Sequence, residues 1–223
     1  MPTAMTFTSL QSDVRSYCER GGATVDADFN TQLPGFINLR EKQIARELKI
    51  QGFVNNVFST MISSVGVYQK PNRWRETISI FIGTLPTIVI AESGYDTRVN
   101  LLPRSYEYCR TYWPDDTQTG VPEFYCDYNY DNFLVVPTPN YAYPYEVNYW
   151  QLLEPLDAAN QTNWLTEYAP NALLHGTLVE AFSYLKNPEQ AAMWQQAYDR
   201  DMAGLSGEDV QKILDRAQKR NTS

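Results

Sequence analysis

Apolar residues at helical spacing open the chain. Leu10, Val14, Tyr17 and Cys18 fall on one face of a 3.6-residue repeat. Thr8-Ser9-Leu10-Gln11 reads as a capping box, and Gly21-Gly22 as a left-handed stop. A second helix is expected from about Pro34, since proline is tolerated in a first turn. Its apolar stripe is Ile37, Ile44 and Leu48, with Arg40, Glu41, Lys42, Arg46 and Glu47 solvating the other side and Gly52 ending it. From residue 53 the pattern shortens to period two, with β-branched and aromatic residues punctuated by Pro and Gly. Thr77–Ile82 alternates as a half-buried strand, and a turn and a second run, Thr87–Ala91, follow. Glu123–Tyr130 and Phe133–Val136 predict a hairpin closed at Asp131-Asn132, and Tyr145–Leu152 predicts a further strand. One short helix, capped by Ser105 and stopped at Pro114, interrupts the strands.

Helical spacing returns near residue 164. Leu174, Leu178, Ala181, Phe182 and Leu185 make one stripe. Asn187-Pro188-Glu189-Gln190 restarts the chain with a cap and an N1 proline. Ala191, Trp194, Tyr198, Met202 and Leu205 continue, and Ser206-Gly207-Glu208-Asp209 is read as opening a third helix with Val210, Ile213, Leu214 and Ala217 apolar. The order α, then β, then α predicts an α+β fold. Residues 1–52 and 154–223 form a helical bundle, and 53–153 is an inserted antiparallel β-rich segment with one short helix.

Charge changes this picture more than composition does. The 223 residues are 43% hydrophobic and 20% charged, enough to bury a core, with a net charge of −8. From Thr111 to Leu185 there is no Lys or Arg. That segment holds Asp115, Asp116, Glu123, Asp127, Asp131, Glu146, Glu154, Asp157, Glu167 and Glu180, while the rest of the chain has 18 bases against 16 acids. Such a balance argues against gripping nucleic acid through clustered bases. No basic start precedes an apolar run at the N-terminus, so no signal peptide is expected. Ile78–Ala91, the most apolar stretch, is broken by Gly83 and Pro86, so no membrane span is expected either. Cys18, Cys109 and Cys126 lack CxxC spacing and read as buried thiols.

Catalytic and metal-binding candidates are few. His175, the one histidine, lies in an apolar helical run without a nucleophile motif and reads as structural. Asp127-Tyr128-Asn129-Tyr130-Asp131 opens like a calcium loop. Asn132 then replaces the turn glycine and Thr138 the bidentate glutamate, so a strand with one polar and one aromatic face is the better reading. Asp115-Asp116 lacks further ligands nearby and reads as a solvated loop. Ten acids allow many carboxylate pairs for a hydrolase, and nothing selects one. No catalytic residue, metal or cofactor is assigned. The surplus is in tyrosine: sixteen in all, ten of them from Tyr106 to Tyr149. Tyr125, Tyr128, Tyr130, Tyr141, Tyr143, Tyr145 and Tyr149 suit either a protein–protein surface or a glycan-stacking module, beside ordinary strand packing.

The order of landmarks from Leu101 onward carries a resemblance. It runs Leu101-Leu102-Pro103, Tyr112-Trp113-Pro114, Gly120-Val121-Pro122-Glu123-Phe124-Tyr125, Val136-Pro137-Thr138-Pro139, Tyr149, Pro155-Leu156 and Thr162-Asn163-Trp164-Leu165. It closes with Ala169-Pro170-Asn171-Ala172-Leu173-Leu174 and Glu180-Ala181-Phe182-Ser183-Tyr184-Leu185-Lys186. Together with Phe29 through Arg46-Glu47-Leu48, this resembles the head-to-tail adaptor (connector) proteins of tailed bacteriophages, especially short-tailed ones. The resemblance implies a non-enzymatic virion protein, made in the host cytoplasm and placed at the head–tail junction. It implies a homo-oligomeric ring of about twelve copies beneath the portal protein. Such a ring extends the DNA channel, lets DNA through without sequence-specific binding, and offers a platform to the tail nozzle and tail fibres. Placed on that ring, Tyr125, Tyr128, Tyr130, Tyr141, Tyr143 and Tyr145 are candidates for subunit or tail contacts. Asp115, Asp116, Asp127 and Asp131 are candidates for the channel wall. Lys212, Arg216, Lys219 and Arg220, on the basic C-terminal helix, are candidates for docking on the portal.

Overall fold

A computed structural model describes residues 4–20, 26–48, 51–83 and 98–221, except the side chains of Gln51 and of residues 208–221. The chain is mixed α+β and divides into two compact units, Met1–Phe53 with Leu152–Ser223, and Val54–Gln151. The expected helix stop at Gly21-Gly22 and the strand Thr87–Ala91 lie outside the described residues.

In the first unit, α1 (Phe7–Tyr17) is capped by Thr6 rather than Thr8. The Thr6 hydroxyl accepts from Ser9 N, and the Ser9 side chain closes the reciprocal bond. Thr8 lies inside the helix, where its hydroxyl and N–H both donate to Gln161 Oε1 while Phe7 N donates to Gln161 O. The irregular segment around Gln161 thus satisfies donors that a helix start leaves unpaired. Tyr17, expected on the buried face, is exposed.

α2 (Ala27–Glu47) starts a full turn and more before Pro34, because Asp26 Oδ1 accepts from Phe29 N and caps it there. Pro34 therefore sits inside the helix. Phe29, Leu33, Ile37, Ile44 and Leu48 are buried, and so are Arg40 and Glu41, which the sequence reading assigns to solvent. Their positions explain this: 40 and 41 fall between 37 and 44 on one 3.6-residue stripe. Gly52 lies beyond the helix end, in a 3-10 turn (Gln51–Phe53) with the Trp164 ring directly where a β-carbon would project.

α4 (Trp164–Tyr168) has its own capping box, Asn163 with Thr166. α5 (Pro170–Tyr184) is buried on nearly all sides, at Ala172, Leu173, Gly176, Thr177, Leu178, Val179, Ala181 and Phe182. An apolar circumference is what a central helix needs. α6 runs unbroken from Pro188 to Asn221; Ser206-Gly207 does not begin a new helix, since an N-cap residue itself takes non-helical backbone and these two are helical. Gly176 lets α5 approach α2 and α6 closely: a β-carbon there would stand 3.1 Å from the Tyr198 ring and 3.2 Å from Arg40 Cδ.

The second unit is a seven-stranded sheet. Its strands are β1 (Val54–Thr60), β2 (Val67–Gln69), β3 (Trp74–Gly83), β4 (Arg98–Pro103), β6 (Phe124–Asp127), β7 (Asn132–Val136) and β9 (Pro144–Gln151). They lie in the order β1-β9-β3-β4-β6-β7-β2, all antiparallel neighbours except β4 and β6. β5 (Thr119–Gly120) and β8 (Thr138–Pro139) form a separate parallel pair. The short helix α3 (Tyr106–Tyr112) is capped by Ser105 as expected. Ile80 and Ile82 point inward, but Ile78 is exposed, because register shifts in β3 at Trp74/Glu76 and Thr77/Ser79 break the alternation. The β6–β7 hairpin forms, but its turn is Tyr128–Asp131, so those residues do not alternate on a strand. Asn129 Oδ1 accepts from Asp131 N and Asn132 N and builds the turn.

Candidate interaction surfaces

The tyrosines separate by depth. Tyr125, Tyr143, Tyr145 and Tyr149 are buried in the core of the β unit, with Tyr68, Phe133, Ile80, Ile82, Leu101 and Val147. Tyr145 and Tyr149 alternate with Glu146 and Asn148 along β9, so the pleat turns them inward with Val147. Their rings supply apolar area, and their hydroxyls find partners at the core's rim. Tyr143 Oη donates to Asn140 Oδ1 at 2.9 Å, Tyr145 is bonded to Ser59 and Tyr149 to Asn55. Burial pushes the phenols of Tyr125, Tyr143, Tyr145 and Tyr149 above their ordinary value, and that of Tyr68 to about 12. Tyr128, Tyr130 and Tyr141 are at the surface, Tyr130 74% exposed.

Two aromatic patches hold Tyr128 and Tyr130, while Tyr141 meets Tyr143 edge-on at 6.4 Å. In the first, Tyr128 packs on Tyr106 of α3 at 5.8 Å, and Arg110 Cζ lies 5.7 Å from the Tyr106 centroid. Arg104 stands over both Tyr108 and Phe124 at 5.4 Å, and Tyr112 beside them is exposed. In the second, Lys70 is pressed over the Trp74 ring, Nζ 3.6 Å from its centroid. Nζ also bonds Asp127 Oδ1 and the Asn129 carbonyl, both at 2.8 Å. The Lys70 side chain is 3% exposed. Tyr130 meets the Trp74 edge at 6.4 Å, and the two rings border a cleft of about 480 Å³ with Gln69, Asn72 and Asp131. Sequence reasoning missed Arg104, Arg110, Lys70 and Trp74, although each cation meets a ring four residues away: Arg104 with Tyr108, Arg110 with Tyr106 and Lys70 with Trp74.

The four acids assigned to a channel wall differ in state. Asp116 pairs with Arg110 NH1 at 2.5 Å, and Asp127 is held by Lys70. Asp115 Oδ1 accepts from Thr117 N, and that bond holds its carboxyl below the usual range. Asp131 is exposed and gives its backbone carbonyl to Lys70 N. Glu146 pairs with Arg98 at 3.2 Å and Glu180 with Arg40 at 2.7 Å. Arg110, Lys70, Arg98 and Arg40 all lie outside the acid-only segment. The fold therefore mixes charges that the linear sequence separates.

In the helical unit, polar residues tie helices together. Arg40 bonds Glu180 and Gln43, and its guanidinium lies 5.2 Å from the Tyr198 centroid. Tyr198 Oη in turn donates to Glu47 Oε2 at 3.0 Å. Glu41 accepts from Leu156 N at 3.1 Å and Asn163 Nδ2 at 2.5 Å, while burial raises its carboxyl pKa. His175 Nδ1 lies 2.7 Å from Asp201 Oδ2, and its ring lies 5.2 Å from that of Trp194, so it links α5 to α6. All three cysteines are buried and free, with burial pushing Cys18 to about 11 and Cys126 to about 12. Among the described residues, no three His, Cys, Asp or Glu converge on a metal site, and no helix is long and apolar enough to cross a membrane. The backbone at Lys212, Arg216, Lys219 and Arg220 belongs to α6; their side chains lie outside those described.

A comparison with curated proteins finds no match. A protein-family model described as SU10 adaptor protein matches residues 5–222.

Proposed function

The chain belongs to the SU10 adaptor protein family, a phage head-to-tail adaptor family, and on that premise we propose that it forms a homo-oligomeric ring between portal and tail. The match across nearly the whole chain is the observation that carries this reading. The ring extends the DNA channel, lets DNA pass without sequence-specific contacts, and presents a platform to the tail nozzle and fibres. Its role is structural rather than enzymatic.

The helical stretch 188–221 offers a docking element for the portal, with Lys212, Arg216, Lys219 and Arg220 at its basic end. The exposed rings of Tyr128, Tyr130 and Tyr141 supply subunit or tail contacts; they cover area with few torsions to order. The deeper Tyr125, Tyr143 and Tyr145 support such a surface from beneath. Asp115 and Asp131 are the acids best suited to a channel wall, because Asp116 and Asp127 already carry a cation of their own chain. Light scattering of the full chain, with and without purified portal, tests the reading. A ring, or a portal-dependent ring, is expected. A chain lacking residues 206–223 that still binds portal would refute the docking element alone.

A further inference from the structure

We infer that Cys109 and Cys126 form a latent disulfide site, two thiols held in contact that close to an S–S bond when the chain meets a peroxide. The site goes beyond the ring reading, and its chemistry does not depend on it. Residues alternate along β6 and β7, so Tyr125, Phe133 and Val135 face the main core while Cys126, Leu134 and Val136 face the other side. That second face is covered by α3. The chain leaves β4 at Pro103, opposite Tyr125, and Arg104 N donates to the Tyr125 carbonyl at 2.9 Å. The Ser105 cap then starts the helix, and one turn later comes Cys109, the buried residue of α3. Its thiol meets that of Cys126 in a hydrogen bond, with Cys126 as the donor.

Cys109 is 0% and Cys126 2% exposed, walled by Leu134, Val136, Trp113 and Phe124. Burial raises both thiols above their ordinary value, Cys126 to about 12. At Cys109 the bond from Cys126 and the nearby Arg110 and Arg104 cations oppose that rise, so Cys109 is the thiol that ionises. Local opening of the seven-residue α3 admits a small oxidant. The Cys109 sulfur attacks one oxygen of hydrogen peroxide and the O–O bond breaks. A sulfenic acid and hydroxide result, and the hydroxide takes up the proton that Cys109 released. The Cys126 sulfur then displaces the sulfenic hydroxyl, which leaves as water with the Cys126 proton, and the S–S bond forms. Two thiols lose two electrons and two protons, and one peroxide becomes two waters.

Thiols already in contact bridge without a rearrangement of strands, whereas a pair whose backbones stand apart would need one. The bridge encloses residues 110–125 and staples α3 to β6. α3 carries Tyr106, Arg110 and Tyr112 of the first aromatic patch, so the staple fixes that patch to the sheet. On the ring reading, on which this consequence alone rests, the chain folds in a reducing cytoplasm with the pair open. The pair then closes after release of the particle into an oxidising medium. Cys18 supplies the contrast: it is buried as well, but no second cysteine belongs to the helical unit.

Hydrogen peroxide treatment of the full folded chain, followed by alkylation in denaturant and tryptic mapping, tests the site. Cleavage after Arg104, Arg110 and Lys186 puts Cys109 on peptide 105–110 and Cys126 on peptide 111–186. The bridge is expected as those two peptides joined, two hydrogens lighter than their sum, while Cys18 is still alkylated. The oxidised chain is expected to have an unfolding constant about a hundredfold lower than the reduced one in urea, a difference abolished by dithiothreitol. Cys109→Ala and Cys126→Ala are each expected to lose both the joined peptide and the urea shift. If either variant fails to fold, the map of the natural chain decides. Cys109 and Cys126 both alkylated after peroxide, a bridge that forms only after unfolding, or an oxidised chain less stable than the reduced one would overturn the site. All of these are read on the chain without portal, so the ring reading would survive them; a missing ring with the joined peptide present would remove the ring reading alone.

Discussion

Arg40 in the helical unit and Lys70 in the β unit are both buried cations, yet their partners are placed differently. The Arg40 side chain is 6% exposed, and its partner Glu180 is itself three-quarters covered. Lys70 is as deeply buried, but Asp127 across from it is largely in water. Removing a buried charge strands its partner only where that partner is also desolvated. The helical unit therefore stakes more on its ion pair. The β unit relies instead on aromatic area, with six buried Tyr and Phe rings in one core.

The sharpest way to break this contrast is Arg40→Ala. It leaves Glu180 without its cation and Tyr198 without the group over its ring, and is expected to cost about 3–5 kcal/mol in denaturant unfolding. In the β unit the comparable blow is to a ring. Tyr149→Ala is expected to cost about 3 kcal/mol by opening a cavity in the core, measured by the same unfolding curve or by exchange of β9 amides. Lys70→Met keeps the stem packed on Trp74 and leaves Asp127 hydrated, so a loss of about 1–2 kcal/mol is expected. A Lys70 loss equal to that of Arg40 would remove the distinction.

Glu41 tests the helical unit through pH. Burial raises its carboxyl pKa in the folded state above the ordinary 4.5, so the native state holds that proton more tightly than the unfolded chain. Stability from this group is present at low pH and is lost as pH rises from about 4.5 through the raised value, with a slope of at most about 1.4 kcal/mol per pH unit. Relative to Glu41→Gln, the natural chain should gain stability on acidification across that window, in parallel urea titrations. The smallest effect belongs to Tyr130→Ala, expected within about 0.5 kcal/mol of the natural chain. If it destabilised the isolated chain as much as Tyr149→Ala, the division between core and surface tyrosines would fail.

Periodicity carried most of the secondary structure, and residue type misled wherever the two disagreed. Positions 40 and 41 lie on the buried stripe of α2 by spacing alone, but their charge suggested solvent. Tyr145 and Tyr149 share the parity of Val147, but their abundance suggested an interface. The register shifts that expose Ile78 leave no trace in the alternation, because a bulge is fixed by the partner strand rather than by the residue itself. The cap of α1 was legible in kind but offset in place, since Thr6 and Thr8 are equally good caps until Gln161, far along the chain, takes the donors of Phe7 and Thr8, whereas Ser105 and Asn187 cap where expected. The acid-only segment was real in sequence, but Arg40, Lys70, Arg98 and Arg110 reach it from outside through the fold.

A low-resolution image of the chain bound to its portal tests the central claim most directly. The account predicts a closed ring coaxial with the portal, with the end of α6 against it and the channel continuing through the ring. A chain that stays monomeric in the presence of portal, or that binds it as isolated copies without closing a ring, would contradict it.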